Sequence, residues 1–446
     1  MTLQLRSVAI ILVTGLMCDG SVVFAQSAMP PRATQGLFGG VQPQADAPKR
    51  LDFTLSVIEG YDSDVPRNLQ SRLDRNSLQS GGFSTMLNAS AGYAWRGSRG
   101  QLGANLSSMV RHYAEVGETR SLGHAAGLGL TLRLPARVTL LVNQATAYSP
   151  TYLSGLFPSG AEVEPGTPGS TAPDYSVSDF ESYTHTTTMT LKHDISSRSF
   201  VTGTGTFLYT DRLRNTDLWK DTNAYAYQGR YTHRAGRNSV LMGQYRYRSG
   251  KYGYTNEGTT TEIALNAGAE FIRPLSATRT AFARFNVGVS GADIPPQGVL
   301  GAGVLRRRYL GVADLAVGRQ FGRTWQARAD LRRGIEYLAD LPTPVFADSL
   351  SAGVEGLLNR RVDLSLFAGY SSGESLLNSS SMKFDTYTGN VRLRYALSRS
   401  LAAYIEYLYY YYDFRGSTQL RAGVPSGLER SGVRAGLTLW VPALRR

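Results

Sequence analysis

Cysteine is almost missing from this chain of 446 residues, Cys18 being the only one. That excludes a disulfide-stapled scaffold and a Cys-rich zinc module. Lysine is nearly as scarce, at five: Lys49, Lys192, Lys220, Lys251 and Lys383. Charged residues of both signs reach only 18%, against roughly 25% in soluble domains. Too few charges are present to coat several soluble cores. Long apolar runs are missing as well, and without 18 consecutive apolar residues a bundle of membrane-spanning helices is excluded.

What the chain has instead is glycine (48), tyrosine (26) and a net charge of +13 carried almost wholly by arginine. Arginine grips carboxylate or phosphate through paired hydrogen bonds, whereas lysine acts as a point charge. A GC-rich genome that writes Arg in place of Lys explains the same bias, so composition alone does not separate the two. A pI of 9.7 also raises nucleic acid as a partner. The address of the chain argues against that.

Residues 1–25 read as a secretory signal peptide. Arg6 supplies the positive end, Val8 to Met17 forms an apolar run of ten, and Val23 and Ala25 are small residues at −3 and −1. Cleavage is expected between Ala25 and Gln26. Met17 is not small, which argues against lipidation at Cys18. Cleavage removes the only thiol, as suits an oxidising compartment. Residues 26–50, rich in Pro, Gly, Ala and Gln, read as a flexible periplasmic leader.

Residues 51–446 carry period-two alternation in segments of about 10 to 15 residues. Phe83, Leu87, Ala89, Ala91, Tyr93 and Trp95 share one face, and Ser84, Asn88, Ser90 and Gly92 the other. Short turns such as Ser196–Ser199, Asn359–Arg361 and Leu397–Ser400 recur about every 40 residues, and longer polar connections lie between them. Eight short turns and nine long loops join eighteen strands, a number open by two. This is the pattern of an all-β, transmembrane, antiparallel up-and-down barrel with short periplasmic turns and long extracellular loops. A soluble sandwich or propeller would bury one face and display a charged one; here the second face is mostly Gly, Ser, Thr, Asn and Arg. Aromatics near strand ends, including Tyr407 to Tyr412, read as interfacial girdles.

An arginine on the lipid face at mid-membrane costs about 2–4 kcal/mol, so arginines inside strands are expected to point into the lumen. Alternation selects Arg230, Arg246, Arg248, Arg284, Arg328, Arg332, Arg392 and Arg394. Either they form an anion-accommodating wall, or they pair with Asp314, Asp330, Glu336, Glu355, Asp363 and Glu406 as a structural network. The connection 149–181 is Pro/Gly-rich and acidic, with Glu162, Glu164, Asp174 and Asp179 and no Lys or Arg. By analogy with general porins it is a candidate constriction loop; a solvated surface loop is the alternative.

The final segment, Gly432 to Trp440, alternates cleanly and ends on an aromatic. With Gly436 and Trp440 it looks like the C-terminal assembly signal of outer-membrane barrels, although a tail of residues 441–446 follows. Together with the leader and the Ser-Arg turns, the chain resembles outer-membrane β-barrel porins encoded near exopolysaccharide genes. The resemblance implies a pore in the outer membrane of a Gram-negative bacterium, for solutes or an acidic polysaccharide. Implied partners are outer-membrane lipids and lipopolysaccharide, the barrel insertion machinery and polysaccharide export components.

Two other classes stand beside the pore: a closed structural or adhesive barrel displaying its loops, and a lipid-modifying hydrolase. None of the five histidines lies in a spaced metal motif, and no Gly-x-Ser-x-Gly elbow places a nucleophile. His185 and His193 fall on the apolar face of one strand. No catalytic residue, metal or cofactor is assigned.

Overall fold

The structure, a computed structural model, describes residues 48–445 apart from 67–78, 114–119, 152–176, 213–220, 252–258, 277–278, 295–305, 323, 337–343, 377–382 and 416–425. The signal-peptide cleavage pair Ala25 and Gln26 lies outside the described residues, as do Glu162, Glu164 and Asp174.

Eighteen strands follow one another. The first nine are β1 (Lys49–Pro66), β2 (Gln79–Arg96), β3 (Gly100–Tyr113), β4 (Arg120–Leu134), β5 (Val138–Thr151), β6 (Val177–Asp194), β7 (Ser199–Arg212), β8 (Thr222–Arg234) and β9 (Ser239–Lys251). The remaining nine are β10 (Thr260–Ser276), β11 (Arg279–Ile294), β12 (Arg306–Phe321), β13 (Trp325–Glu336), β14 (Val345–Leu357), β15 (Val362–Ser375), β16 (Lys383–Ala396), β17 (Leu401–Arg415) and β18 (Gly427–Arg445). Each pairs antiparallel with its neighbours in sequence, and β18 pairs with β1. The sheet is therefore a closed barrel without an open edge. Asp179 belongs to β6 and not to the preceding connection, because pairing resumes at Thr151 with Val177.

The short turns are built by their own side chains. Ser196 Oγ accepts from the backbone N–H of Arg198 at 3.2 Å and of Ser199 at 3.0 Å. Asn359 Oδ1 does the same for Arg361 and Val362 at 2.8 and 3.0 Å, and Ser398 Oγ for Ser400 and Leu401 at 3.2 and 3.1 Å. A short polar side chain opening the turn thus satisfies two N–H groups that leave the ladder. Between β4 and β5 the chain reverses through Ala136 and Arg137, both at φ near +60°. Two left-handed residues match the twist of the flanking strands.

Alternation sorts most strands into an exposed apolar face and a more buried interior one. On β18, Val433, Leu437, Leu439 and Val441 are exposed while Arg430, Arg434 and Thr438 are buried. The tyrosine cluster of β17 divides in the same way. Tyr407 points out, whereas Tyr404, Tyr410 and Tyr412 are buried inside, so that run is only in part an external girdle.

The closing strand differs from the sequence expectation. It does not end at Trp440: Val441 pairs with Phe53, Pro442 with Asp52 and Leu444 with Leu51, with a register shift between Leu51 and Asp52. Proline has no N–H for the ladder, and the irregularity accommodates it. Trp440 itself shares the interior parity and packs on Ala396 and Ala402. Deleting residues 441–446 removes the last rungs of the β1–β18 seam, so the temperature at which the folded band is lost on unheated gels is expected to fall. Ser398→Ala, which costs two turn hydrogen bonds of about 1 kcal/mol each, is expected to shift it less. An unchanged midpoint in the deletion would show that the seam does not need these rungs.

Candidate functional site: the arginine-lined interior

All eight arginines selected by alternation have interior parity, and the structure then separates them by partner. Arg246 and Arg248 of β9 converge on the fully buried Glu262 of β10, at 2.8 and 3.5 Å. Glu262 also accepts from Ser290 Oγ at 2.8 Å. Arg328 grips Asp330, two residues along its own strand, through both Nε (2.7 Å) and Nη2 (2.8 Å). Arg332 meets Glu336 at 3.1 Å. Arg394 donates to Asp363 on β15 from Nε at 2.9 Å, in a pair that is 1% and 5% exposed.

Arg230 donates to the neutral Gln244 at 3.1 and 2.8 Å. Arg284 and Arg392 have no carboxylate within ion-pair distance among the described residues. The structural network that the sequence allowed is present in part. Asp330, Glu336 and Asp363 neutralise arginines, while Glu355 accepts from Gln326 and Glu406 from Asn390 at 2.6 Å.

Among the buried arginines of the described residues, three inward ones were not selected by alternation: Arg111, Arg430 and Arg434. Arg430 pairs with Asp62 across the seam at 2.7 Å, both almost fully buried. Arg434 stands level with Glu406 on one side and Gly60 on the other. A Cβ on Gly60 would lie 3.0 Å from Arg434 Cγ, and one on Gly432 would press on the Asp62 carboxylate. Glycine is needed there for close approach. The signal was legible, since Arg430 and Arg434 alternate with Val433 and Leu437. Arg111 was harder, because the outward face of β3 carries Ser108 and His112 among its apolar residues.

The interior has unlike sides. Around the seam, Ile58, Met86 and Tyr404 cluster with Met109, and Arg111 Nη2 lies 3.7 Å from Met86 Sδ. β6 and β7 instead present a neutral wall of threonines. Thr190 and Thr204 hydroxyls are 3.2 Å apart, and the pairs Thr184–Thr210 and Thr188–Thr206 are each at 3.4 Å. Beside β13 the inward side chains are more accessible: that of Arg332 is 50% accessible, and that of Arg328 35%.

Histidines lie on the opposite face. His124, His185 and His233 each place Nδ1 within 2.9 to 3.0 Å of a hydroxyl on a neighbouring strand: Ser108, Thr146 and Ser199. The same arrangement recurs at three separate places. It reads as a way of satisfying an imidazole on an apolar wall, not as a nucleophile singled out for activation.

No family model matches the chain, and no curated protein matches it. Among solved structures it is similar to Pseudomonas aeruginosa OccK2 (OpdF) at 9% identity and TM-score 0.44, over 89% of this chain and 98% of that one. Acinetobacter baumannii OccAB3 is similar at 11% and 0.41, over 88% and 99%. The ferric-catecholate import receptor Fiu of E. coli K12 is similar at 9% and 0.39, over 90% and 82%. At such identities and scores nothing about solute or mechanism passes to this chain. Its own topology defines its class, a closed antiparallel barrel of eighteen strands.

The paired and unpaired arginines are expected to respond differently to substitution. Arg394→Gln leaves Asp363 buried without its cation, a loss of about 3–5 kcal/mol. Arg392→Gln strands no ion-pair partner and is expected to move the urea unfolding midpoint far less. Equal shifts would mean that the buried pair has no special weight.

Proposed function

We propose that this chain is an integral outer-membrane pore of a Gram-negative bacterium that passes solutes and favours anions. The observation that carries the reading is Arg332, inward-facing and half accessible, because it marks water inside the barrel on the β13 side. Arg284 and Arg392, level in register with Glu270 and Glu406 but outside ion-pair distance of a carboxylate among the described residues, add further guanidinium groups to that interior. Fixed charge of one sign beside water raises the local concentration of counter-ions. Membrane insertion is supported by the exposed apolar face carried by nearly every strand, Leu106, Leu265, Val287 and Leu437 among many, and by the signal-peptide pattern of the first 25 residues. The short turns then face the periplasm. Small acids or an acidic polysaccharide are the solutes that fit this charge.

One observation favours the closed structural barrel instead. Arg111, Arg394, Arg430, Phe384, Ile58 and Met86 all point inward and are fully buried. They line the wall from β16 through the seam to β3, and the pore reading needs only the β13 side to stay open. Purified protein in planar bilayers is expected to conduct and to prefer anions. The preference should fall with salt, since the reach of each charge shortens from about 10 Å at 0.1 M to 3 Å at 1 M. Replacing Arg284 and Arg392 together by Gln should reduce the preference with the fold intact. Cysteine at Ser349, beside Arg332 in register, should change conductance on reaction with a charged thiol reagent, whereas cysteine at the buried Thr438 should not. Absence of conductance in the folded protein would leave the closed barrel as the reading.

A further inference from the structure

Exposed arginines are treated differently at the two ends of the outer wall. Toward the long connections they have carboxylates: Arg307 meets Asp293, Arg333 meets Asp348 at 3.3 Å, and Arg415 meets both Asp385 at 3.1 Å and Asp413 at 2.8 Å. At the turn end, Arg273 of β10, Arg279 of β11 and Arg319 of β12 are exposed, and none has a carboxylate partner among the described residues. Their strand parity is that of the exposed Phe271, Phe285 and Val317, so they stand on the outer wall and not over the interior.

The three lie close together. Arg273 and Arg319 flank Ala281 in direct register, one on each neighbouring strand. Their Cα atoms are therefore about 10 Å apart, twice the interstrand spacing. Arg279 lies two residues beyond Ala281 toward the turn. Alanine leaves the floor between them low, and three long side chains can meet above it. Phe271, two residues from Arg273 on the side away from the turn, has its ring 6.4 Å from that of Phe285, while Phe321, two residues beyond Arg319 toward the turn, has its ring 6.2 Å from that of Trp325, so the triad lies within an aromatic belt. Aromatic side chains of this kind mark the edge of the hydrocarbon layer.

We infer that Arg273, Arg279 and Arg319 form a surface for the headgroup phosphate of an anionic phospholipid in the periplasmic leaflet. The inference rests on the membrane reading above. Cations set among the aromatic and apolar residues at the turn end of the outer wall, facing away from the interior and without a carboxylate partner among the described residues, sit where headgroup phosphates meet the hydrocarbon edge. The guanidinium fork matches phosphate oxygens through two parallel hydrogen bonds, and basic side chains at an anionic leaflet each add to binding. The free phosphate ion shares the chemistry but lacks the acyl chains that would lie against Phe271 and Phe285.

The test uses the full-length mature protein. Protease protection in vesicles first establishes insertion of the wild type; failure there overturns both this inference and the pore reading. Native mass spectrometry then compares retention of phosphatidylglycerol with that of phosphatidylethanolamine. Wild type is expected to keep phosphatidylglycerol preferentially, and R273Q, R279Q and R319Q to weaken that preference roughly fivefold each. A triple Lys variant should keep part of it, having the charge without the fork. Should the triple Gln variant fail to fold, judged by its mobility on unheated gels, R273Q/R319Q serves in its place. Unchanged retention in the folded Gln variants overturns the inference while leaving the pore intact. Displacement of phosphatidylglycerol by millimolar inorganic phosphate overturns it in favour of a free-anion site.

Discussion

The barrel depends on the closure of its hydrogen-bond ladder between β1 and β18. From Asp62 with Gly432 down to Arg50 with Arg445, the first and last strands of the chain pair along nearly their whole length. An open sheet of this width would present two edges of unpaired N–H and C=O groups. In hydrocarbon, where no water can satisfy them, that is prohibitive. Closure joins residues nearly four hundred positions apart, so the seam is also the most non-local contact in the molecule. Proline at 442 sits in this seam only because the register slips beside it.

Once the sheet is closed, period-two alternation acquires a meaning that an open sheet lacks: one face is enclosed and the other is the entire outer surface. Polar groups on each face then have to find partners there. Inside, arginines recruit carboxylates from adjacent strands, as Arg394 does with Asp363 and Arg430 with Asp62, because neighbouring positions in register lie within side-chain reach. Outside, imidazoles take hydroxyls from the next strand. The interior packs around the seam, where Ile58, Met86, Tyr404 and Trp440 lie, and its side chains on β13 are more accessible. The threonines of β6 and β7 add a neutral wall.

The same pairing rule distinguishes the ends of the outer wall. Arginines near the long connections have acids close by, since those connections and strand ends carry Asp293, Asp348, Asp385 and Asp413. The short turns contain few acids, and Arg273, Arg279 and Arg319 are left to partners outside the chain. A charge is compensated where the local sequence supplies its opposite and offered to the surroundings where it does not.

Strand number, antiparallel order and inward arginines were legible in the sequence because each is a local property. Alternation is read within one strand, and a turn opened by Ser or Asn is read within four residues. Glu262 as the shared partner of Arg246 and Arg248 was not legible, although all three stand in the sequence, because register between strands decides which acid an arginine meets. The end of β18 was misplaced for a related reason: Trp440 closes the local pattern, but pairing with β1 carries the strand on to Arg445. By itself the sequence determined which side chains face inward. Only the tertiary structure decided which of them are neutralised, which are buried and which touch water, because these depend on what closure places across the seam and around the circumference.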